Sequence, residues 1–275
     1  MAEREAGDRI GKIASVEVMT PGAPKVIVHG DVDFRHAPEI TEAVRRILED
    51  GNKRVDIQLA DVEFMDSSGI SALLDAADLA RRRQARLVLV SPTRQLLHLL
   101  EVSGFKLLFD YEQLPALVEP VPPPAGAPAY WQVSEFRVPC HPELVADIRH
   151  RIAEVGRSMP FITEEIEDIK LAVGEAAANA FRYGCPAGAA DSIHVRCVGD
   201  DRALTVEISD PGPGFDPECV AVPKPGSLVT GGRGIFFMRL MMDRVDFVRL
   251  DPGMLVRLVK RVRKRGPQTD AGLTV

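Results

Sequence analysis

Apolar-rich runs over Ile13 to Met19 and Pro24 to Val32, the second largely buried in character through Val26-Ile27-Val28, predict two strands broken by the turn Pro21-Gly22. Pro38 then opens an amphipathic helix through Ile40, Val44, Ile47 and Leu48 that stops at Gly51. Arg54 to Ala60 and Arg86 to Val90 read as strands, and between them Ile70, Leu73, Leu74 and Ala77 carry a helical period up to Arg83. The second half starts with an edge strand, Val133 to Pro139, and a helix marked by Pro142, Leu144, Ile148, Ile152 and Val155, ending at Gly156. A long helix follows from Thr163 to Gly184, with Ile166, Ile169, Val173, Ala176 and Ala180 on one apolar face. Strands Ser192 to Val198 and Ala203 to Ser209 form a hairpin across Gly199-Asp200-Asp201. A last helix carries Ile235, Met238, Leu240, Met241 and Met242, its methionines read as core filler. Strands Arg244 to Leu250 and Met254 to Val262 close the chain around Asp251-Pro252-Gly253, and the basic end Lys260 to Arg265 reads as solvated.

These runs divide into two sets of ordinary domain size within 275 residues. Between them Glu119-Pro-Val-Pro-Pro-Pro-Ala-Gly-Ala-Pro-Ala129 is a linker by composition, a semi-rigid spacer that at ~3.1 Å per residue reaches roughly 30 Å. The expected organisation is a first domain over 1–118, a linker over 119–131 whose Trp131 packs on one domain, a second domain over 132–265, and a tail over 266–275. The net charge of −6 argues against sequence-independent nucleic-acid binding, which needs phosphate-neutralising cations. No apolar run approaches a membrane span, and MAEREAGDRI offers no signal-peptide core, so a cytoplasmic protein is expected. Cys140, Cys185, Cys197 and Cys219 lack paired C-x-x-C spacing and are expected to be reduced and structural, without zinc. His29 reads as a rim or core histidine.

Four stretches carry candidate chemistry. On the long helix a second stripe, Asp168, Ala172, Glu175 and Asn179, runs beside the apolar face, and Glu175 and Asn179 stand one turn apart. A carboxylate and an amide flanked by alanines could hold a hydrated divalent cation and activate a nucleophile; alone, the pair equally suits a solvated face. Asp210-Pro211-Gly212-Pro213-Gly214 puts a carboxylate at a strand end before glycines, suited to a purine amino group or to a plain tight turn. Gly231-Gly232-Arg233-Gly234 feeds a helix N-terminus, a place for phosphate. Ser67, in Asp66-Ser67-Ser68-Gly69, stands near the N-cap of the helix that follows. A phosphate there would add roughly 1.5–2 negative charges to an exposed patch already holding Asp66.

Gly30-Asp-Val-Asp33, Phe64-Met-Asp-Ser-Ser-Gly69 and Leu99-Leu-Glu-Val-Ser-Gly-Phe105 resemble the STAS-domain anti-sigma factor antagonists across the front half of the chain. The resemblance implies a small sheet flanked by helices, with Ser67 as the residue phosphorylated by a partner kinase and Ser68 as its competitor. In the rear half Glu175-Ala-Ala-Ala-Asn179, Asp210 to Gly214 and Gly231 to Ile235 resemble the N, G1 and G2 boxes of GHKL ATPases. The run from Gly232-Arg233-Gly234 through Phe236 to Val245 narrows this to the anti-sigma serine/threonine kinases. Both halves are therefore expected to be α/β, the second a Bergerat-type sandwich.

Carried over, the resemblance makes Glu175 the base for an attacking serine and Asn179 the Mg2+ ligand. Asp210 reads adenine; Gly212, Gly214, Gly232 and Gly234 shape the ATP pocket and its lid; Arg233 either reaches a phosphate or points to solvent. Met254 stands where the family has a threonine on the adenine side, a lost hydroxyl that costs about 1–3 kcal/mol. The function implied is an ATP- and Mg2+-dependent protein serine kinase of a partner-switching system, acting on Ser67 in cis, within a dimer, or on a separate STAS protein. Its implied partners are a sigma factor and a phosphatase that resets Ser67. The alternative is a non-catalytic, nucleotide-sensing module that sequesters a regulatory partner.

Overall fold

In a computed structural model of the chain, residues 15–19, 24–113, 132–216 and 232–263 are described. The front half is a mixed sheet in the order β1-β2-β3-β4-β5. Its strands are β1 (Ser15–Met19), β2 (Lys25–Val32), β3 (Arg54–Met65), β4 (Arg86–Val90) and β5 (Asp110–Glu112). The β1–β2 pair is antiparallel and the other neighbours are parallel. Parallel neighbours need crossovers, and helices α1 (Ala37–Glu49), α2 (Ser67–Arg82) and α3 (Arg94–Val102) supply them. Burial of both faces turns β4, Arg-Leu-Val-Leu-Val, into a nearly continuous apolar run.

The rear half is an antiparallel sheet in the order β6-β7-β8-β10-β9: β6 (Gln132–Pro139), β7 (Ser192–Gly199), β8 (Ala203–Asp210), β9 (Arg244–Leu250) and β10 (Gly253–Arg261). One face carries α4 (Val145–Arg157), α5 (Thr163–Tyr183) and α6 (Arg233–Met241). Inward residues of the strands, among them Val195, Val206, Ile208 and Leu258, meet Ile148, Ile169 and Phe237 from the helices. This one-sided cover explains the clean alternation of β7 and β8.

Several expectations shift. The strand predicted to end at Ala60 continues to Met65, past exposed Glu63, and its pairing with β2 slips twice on the way. Asp66, not Ser67, caps α2, accepting from the N–H groups of Ser68 and Gly69 at 2.8 and 3.0 Å; Ser67 is the first helical residue. The helix α3 was not foreseen. The linker, Trp131, Gly231 and Cys219 lie outside the described residues.

Two corrections are chemical. Cys140 and Cys185 are not reduced: they form a disulfide with Cα atoms 6.2 Å apart. Cys140, just after β6, meets Cys185, just after α5, although they are 45 residues apart, and the Cys140 N–H donates to the Asp191 carbonyl. Cys197 is free and buried. The basic end is not wholly solvated either. Alternation along β10 turns Lys260 inward, where its Nζ donates to Asp168 Oδ2 at 2.8 Å and to the Met241 carbonyl at 2.5 Å. This pair pins α5 and α6 to the sheet. Lys260→Ala should therefore cost about 3–5 kcal/mol in chemical denaturation, because it strands Asp168; Lys260→Met combined with Asp168→Leu should cost less.

Candidate functional site

The long helix α5 is buried on nearly every side, because its back rests on the rear sheet and its front meets the other half of the chain. The polar stripe beside its apolar face is thus not solvated. Glu175 is 3% exposed and Ser67 9%. The Ser67 hydroxyl donates to Glu175 Oε2 at 2.7 Å, and the Ser67 N–H donates to Oε1 at 2.5 Å. One carboxylate grips one serine at both donors. The expected exposed patch around Ser67 and Asp66 is closed by the rear domain, and Asp66 is 3% exposed.

Arg149 of α4 explains how the halves register. It occupies a core-facing position, in line with Val145 and Ile152, yet its guanidinium crosses into the front domain. There Nη2 donates to Asp31, and the guanidinium carbon lies 3.4 Å from the centroid of the Phe64 ring. Arg149 Nε and Nη1 have no hydrogen-bond acceptor among the described residues; the ring face stands in their place. Burial pulls Arg149 below its ordinary value while Asp31 opposes the shift. Gly174 makes room for this stack: a Cβ there would meet Arg149 Cδ and Phe64 Cζ at 3.0 Å each. Farther along, His98 of α3 stands 3.6 Å from Asp168, and Arg182 of α5 lies over the Phe34 ring at 4.3 Å.

A cavity of about 990 Å3 opens beside Ser67 and takes walls from both halves. The rear domain contributes Asn179, Asp210, Gly214, Gly232, Arg233, Gly234 and Met254. The front domain contributes Phe34, Pro38, Thr41, Arg45 and Asp75 as well as Ser67 and Ser68. All the sequence-predicted site residues line it except Glu175, which is hydrogen-bonded to the lining residue Ser67, and Gly212. Gly212 lies behind, its N–H holding Asp210 Oδ1 at 3.0 Å. Met254 pairs directly opposite Asp210 across β8 and β10, so the missing hydroxyl falls beside the carboxylate.

Gly232 caps α6 in the left-handed region, with φ of 67°, which a side chain would oppose. Gly234 abuts Glu175: a Cβ there would come within 2.6 Å of Oε2. Arg233 points inward, 4% exposed, where the Asp75 carboxylate acts on it from α2. Among the described residues no group of three or more His, Cys, Asp or Glu could hold a metal ion. A cation here would rest on Asn179 and on oxygens brought by its own ligand. The N-terminal end of α6 and the adjoining cavity suit a polyphosphate, and the Asp210 end suits a base.

Burial, with Asp66 close by, pushes Glu175 up to about 8, against the opposing pull of the Ser67 hydrogen bonds and Arg182. Burial pushes Asp66 up to about 6, against the two N–H donors it caps. Sequence reasoning missed Arg149, Asp31, Arg182 and the front wall of the cavity. A signal existed for Arg149, a cation at a core-facing helical position; none existed for the wall, which depends on how the halves meet.

Comparison with known proteins agrees with this division. Residues 18–116 match the STAS domain family and residues 138–260 the histidine kinase-like ATPase domain family. The serine-protein kinase RsbW of Bacillus licheniformis is 31% identical over 154 residues, covering 51% of this chain and 91% of its own. RsbW of Bacillus subtilis strain 168 is 31% identical over 150 residues with the same coverage. A crystal structure of an anti-sigma factor antagonist from Mycobacterium paratuberculosis covers 37% of this chain and 86% of its own, at 24% identity and a TM-score of 0.32. A STAS domain joined to a histidine kinase-like ATPase domain defines the class as a two-domain protein serine/threonine kinase. The chain belongs to the RsbW family of serine-protein kinases, with a STAS domain added in front. Among the described residues no helix is long and apolar enough to cross a membrane.

Two outcomes follow from the interface. Arg149→Ala leaves Asp31 without its partner and Phe64 without its cover, so the radius of gyration by solution scattering should rise while each domain keeps its secondary structure. The raised carboxyls make docking proton-linked. Their contribution is complete below the ordinary carboxylate range, where docked and separated forms are both neutral, and is lost as pH rises through about 8 for Glu175. Scattering should accordingly show the domains separating more readily at pH 9 than at pH 6 (both roughly chosen to bracket that window), and Glu175→Gln should flatten the dependence.

Proposed function

We propose that this chain transfers the γ-phosphate of ATP to Ser67 of its own STAS domain, and that the docked arrangement is the acceptor complex. The observation that carries this reading is the 2.7 Å hydrogen bond from Ser67 Oγ to Glu175 Oε2. Phosphoryl transfer asks a protein mainly for positioning and charge stabilisation. Here the nucleophile and the helix end that would bind phosphate line one cavity, and the base is hydrogen-bonded to the nucleophile at its edge. Ser68 is the weaker acceptor, since its Oγ faces Arg182 Nη2 at 3.5 Å rather than the carboxylate.

Asp210 would read adenine, with Gly212 fixing its orientation and Gly214 keeping the wall low. The amides of Gly232, Arg233 and Gly234 would meet the phosphates, and Asn179 would hold Mg2+, which screens the charge between the phosphates when bound. Glu175 would accept the serine proton. Its raised proton affinity suits that task, since a base is most effective when its pKa lies near the working pH. Tethering keeps the acceptor at an effective concentration on the order of millimolar, so transfer within one chain outruns transfer between chains.

The added phosphate would lie against Asp66 and the carboxyl of Glu175, and its charge in a buried site would drive the domains apart. The uncovered face of the kinase would then take another partner, a sigma factor or a separate STAS protein by analogy with the relatives' systems. A phosphatase would reset Ser67. The cytoplasm, where transcription runs, is the compartment this reading implies. A second reading, a nucleotide sensor that moves no phosphate, draws support from Met254 facing Asp210, which leaves the adenine side one hydroxyl short.

Intact-mass measurement after mixing with ATP and Mg2+ separates the two. One phosphate on Ser67, with a first-order rate independent of protein concentration, is expected for cis transfer. Glu175→Ala should abolish the label while calorimetry still registers nucleotide binding; binding with no label in the unaltered chain supports the sensor instead.

A further inference from the structure

Ser67 is enclosed by negative charge. Glu175 faces its hydroxyl, Asp66 caps its helix, and Asp33 stands behind Asp66, itself engaged by Arg35 and His36. A triphosphate entering the same cavity raises that density further. Among the cations near this cluster, Arg149 of α4 is committed to Asp31 and the Phe64 ring, and Arg233 of α6 lies under the influence of Asp75. Arg182 is placed differently. It projects from α5 two turns after Glu175 and one turn after Asn179, so all three share a face. Its guanidinium lies over the Phe34 ring of the STAS domain, and its Nη2 reaches Ser68 Oγ, next to the acceptor. It also lines the cavity with Ser67 and Asn179.

We propose that Arg182 is a positioning residue for phosphoryl transfer, a cation that is braced by Phe34 of the acceptor domain and compensates the charge gathering between Ser67 and the triphosphate. This rests on the phosphotransfer reading above. In the step itself the bond from Ser67 Oγ to the γ-phosphorus forms and the bond from that phosphorus to the β-phosphate oxygen breaks. The serine proton passes to Glu175 and ADP departs. Negative charge spreads over the transferring group throughout, and a fixed guanidinium beside it stabilises that spread more than it stabilises the starting complex. The nearer of its two aromatic neighbours, Phe34 at 4.3 Å against Tyr183 of α5 at 5.6 Å, is supplied by the substrate domain, so docking of Ser67 completes the brace. A STAS protein lacking an aromatic at the Phe34 position would be a poorer acceptor.

The Arg182 charge also opposes the burial that raises Glu175 and the effect of neighbouring Asp66. This gives the proposal a readout that a simple interdomain latch would move the other way. Single-turnover labelling of Ser67 by ATP and Mg2+ in the full chain, across roughly pH 6 to 9, reports the base through its acid limb. Arg182→Gln should slow transfer by roughly 10²-fold and move that limb to higher pH, with nucleotide binding by calorimetry unchanged. Arg182→Lys should recover part of the rate and return the limb to its original place. Phe34→Leu, which keeps the charge and loses the brace, should slow transfer with the limb unmoved.

If Arg182 merely fastened the domains, Arg182→Gln would open the interface, hydrate Glu175 and move the limb to lower pH; that result, or a rate within about threefold of the unaltered chain, overturns the proposal. An unaltered chain that binds nucleotide but takes no label overturns the phosphotransfer reading itself and this inference with it. That failure is told apart by appearing before any substitution is made.

Discussion

Everything in this molecule turns on a carboxylate kept from water by a second domain. Glu175 lies on a helix whose back is committed to the core of the rear sheet, so it cannot move to solvent without unpacking α5. Its front would be open if the STAS domain were absent. The rear domain, through Gly234, and the docked STAS domain together bury it, and the hydroxyl that bonds it arrives on the docking surface. The proposed base and nucleophile meet in the same event.

The accuracy of the contact comes from elements that make no contribution to the chemistry. Asp66 fixes the first turn of α2 and with it the direction of the Ser67 side chain. Arg149 threads between Asp31 and Phe64, with Gly174 reduced to a bare backbone so that the guanidinium and the ring can lie against α5. A glycine inside a helix costs about 1 kcal/mol relative to alanine. Here that local cost is the condition for close approach of the domains. Lys260 holds the opposite end of the same helix through Asp168. The helix that carries Glu175 is thus held at both ends and along its flank.

Much of this was legible in the chain, and what was not shares a cause. Period-two and helical patterns report the environment of a residue within its own domain. They placed the strands of the rear sheet and the helices α1, α4, α5 and α6 to within a few residues. They failed where a residue answers to something distant. β3 runs past the end of its apolar alternation because β2 continues to pair with it. Lys260 reads as a basic tail until the inward face of β10 is seen to bring it to Asp168. Cys140, at the end of β6, and Cys185, at the end of α5, meet only through the tertiary fold. Asp66 and Ser67 were read as surface because nothing local says that another domain covers them. The motif glycines, by contrast, could be assigned to the cavity without knowing the interface, since all but Gly212 line it from the rear domain alone.

The cavity wall built from Phe34, Pro38, Thr41 and Arg45 has a bearing on chemical selectivity. A nucleotide pocket made by one domain presents nearly the same atoms in every relative, and small molecules that fill it discriminate poorly. Here one side belongs to α1 of a different fold. A compound extended from the Asp210 end of the cavity toward that helix would meet a surface contributed by the STAS domain, and would recognise the fused arrangement rather than the ATPase fold.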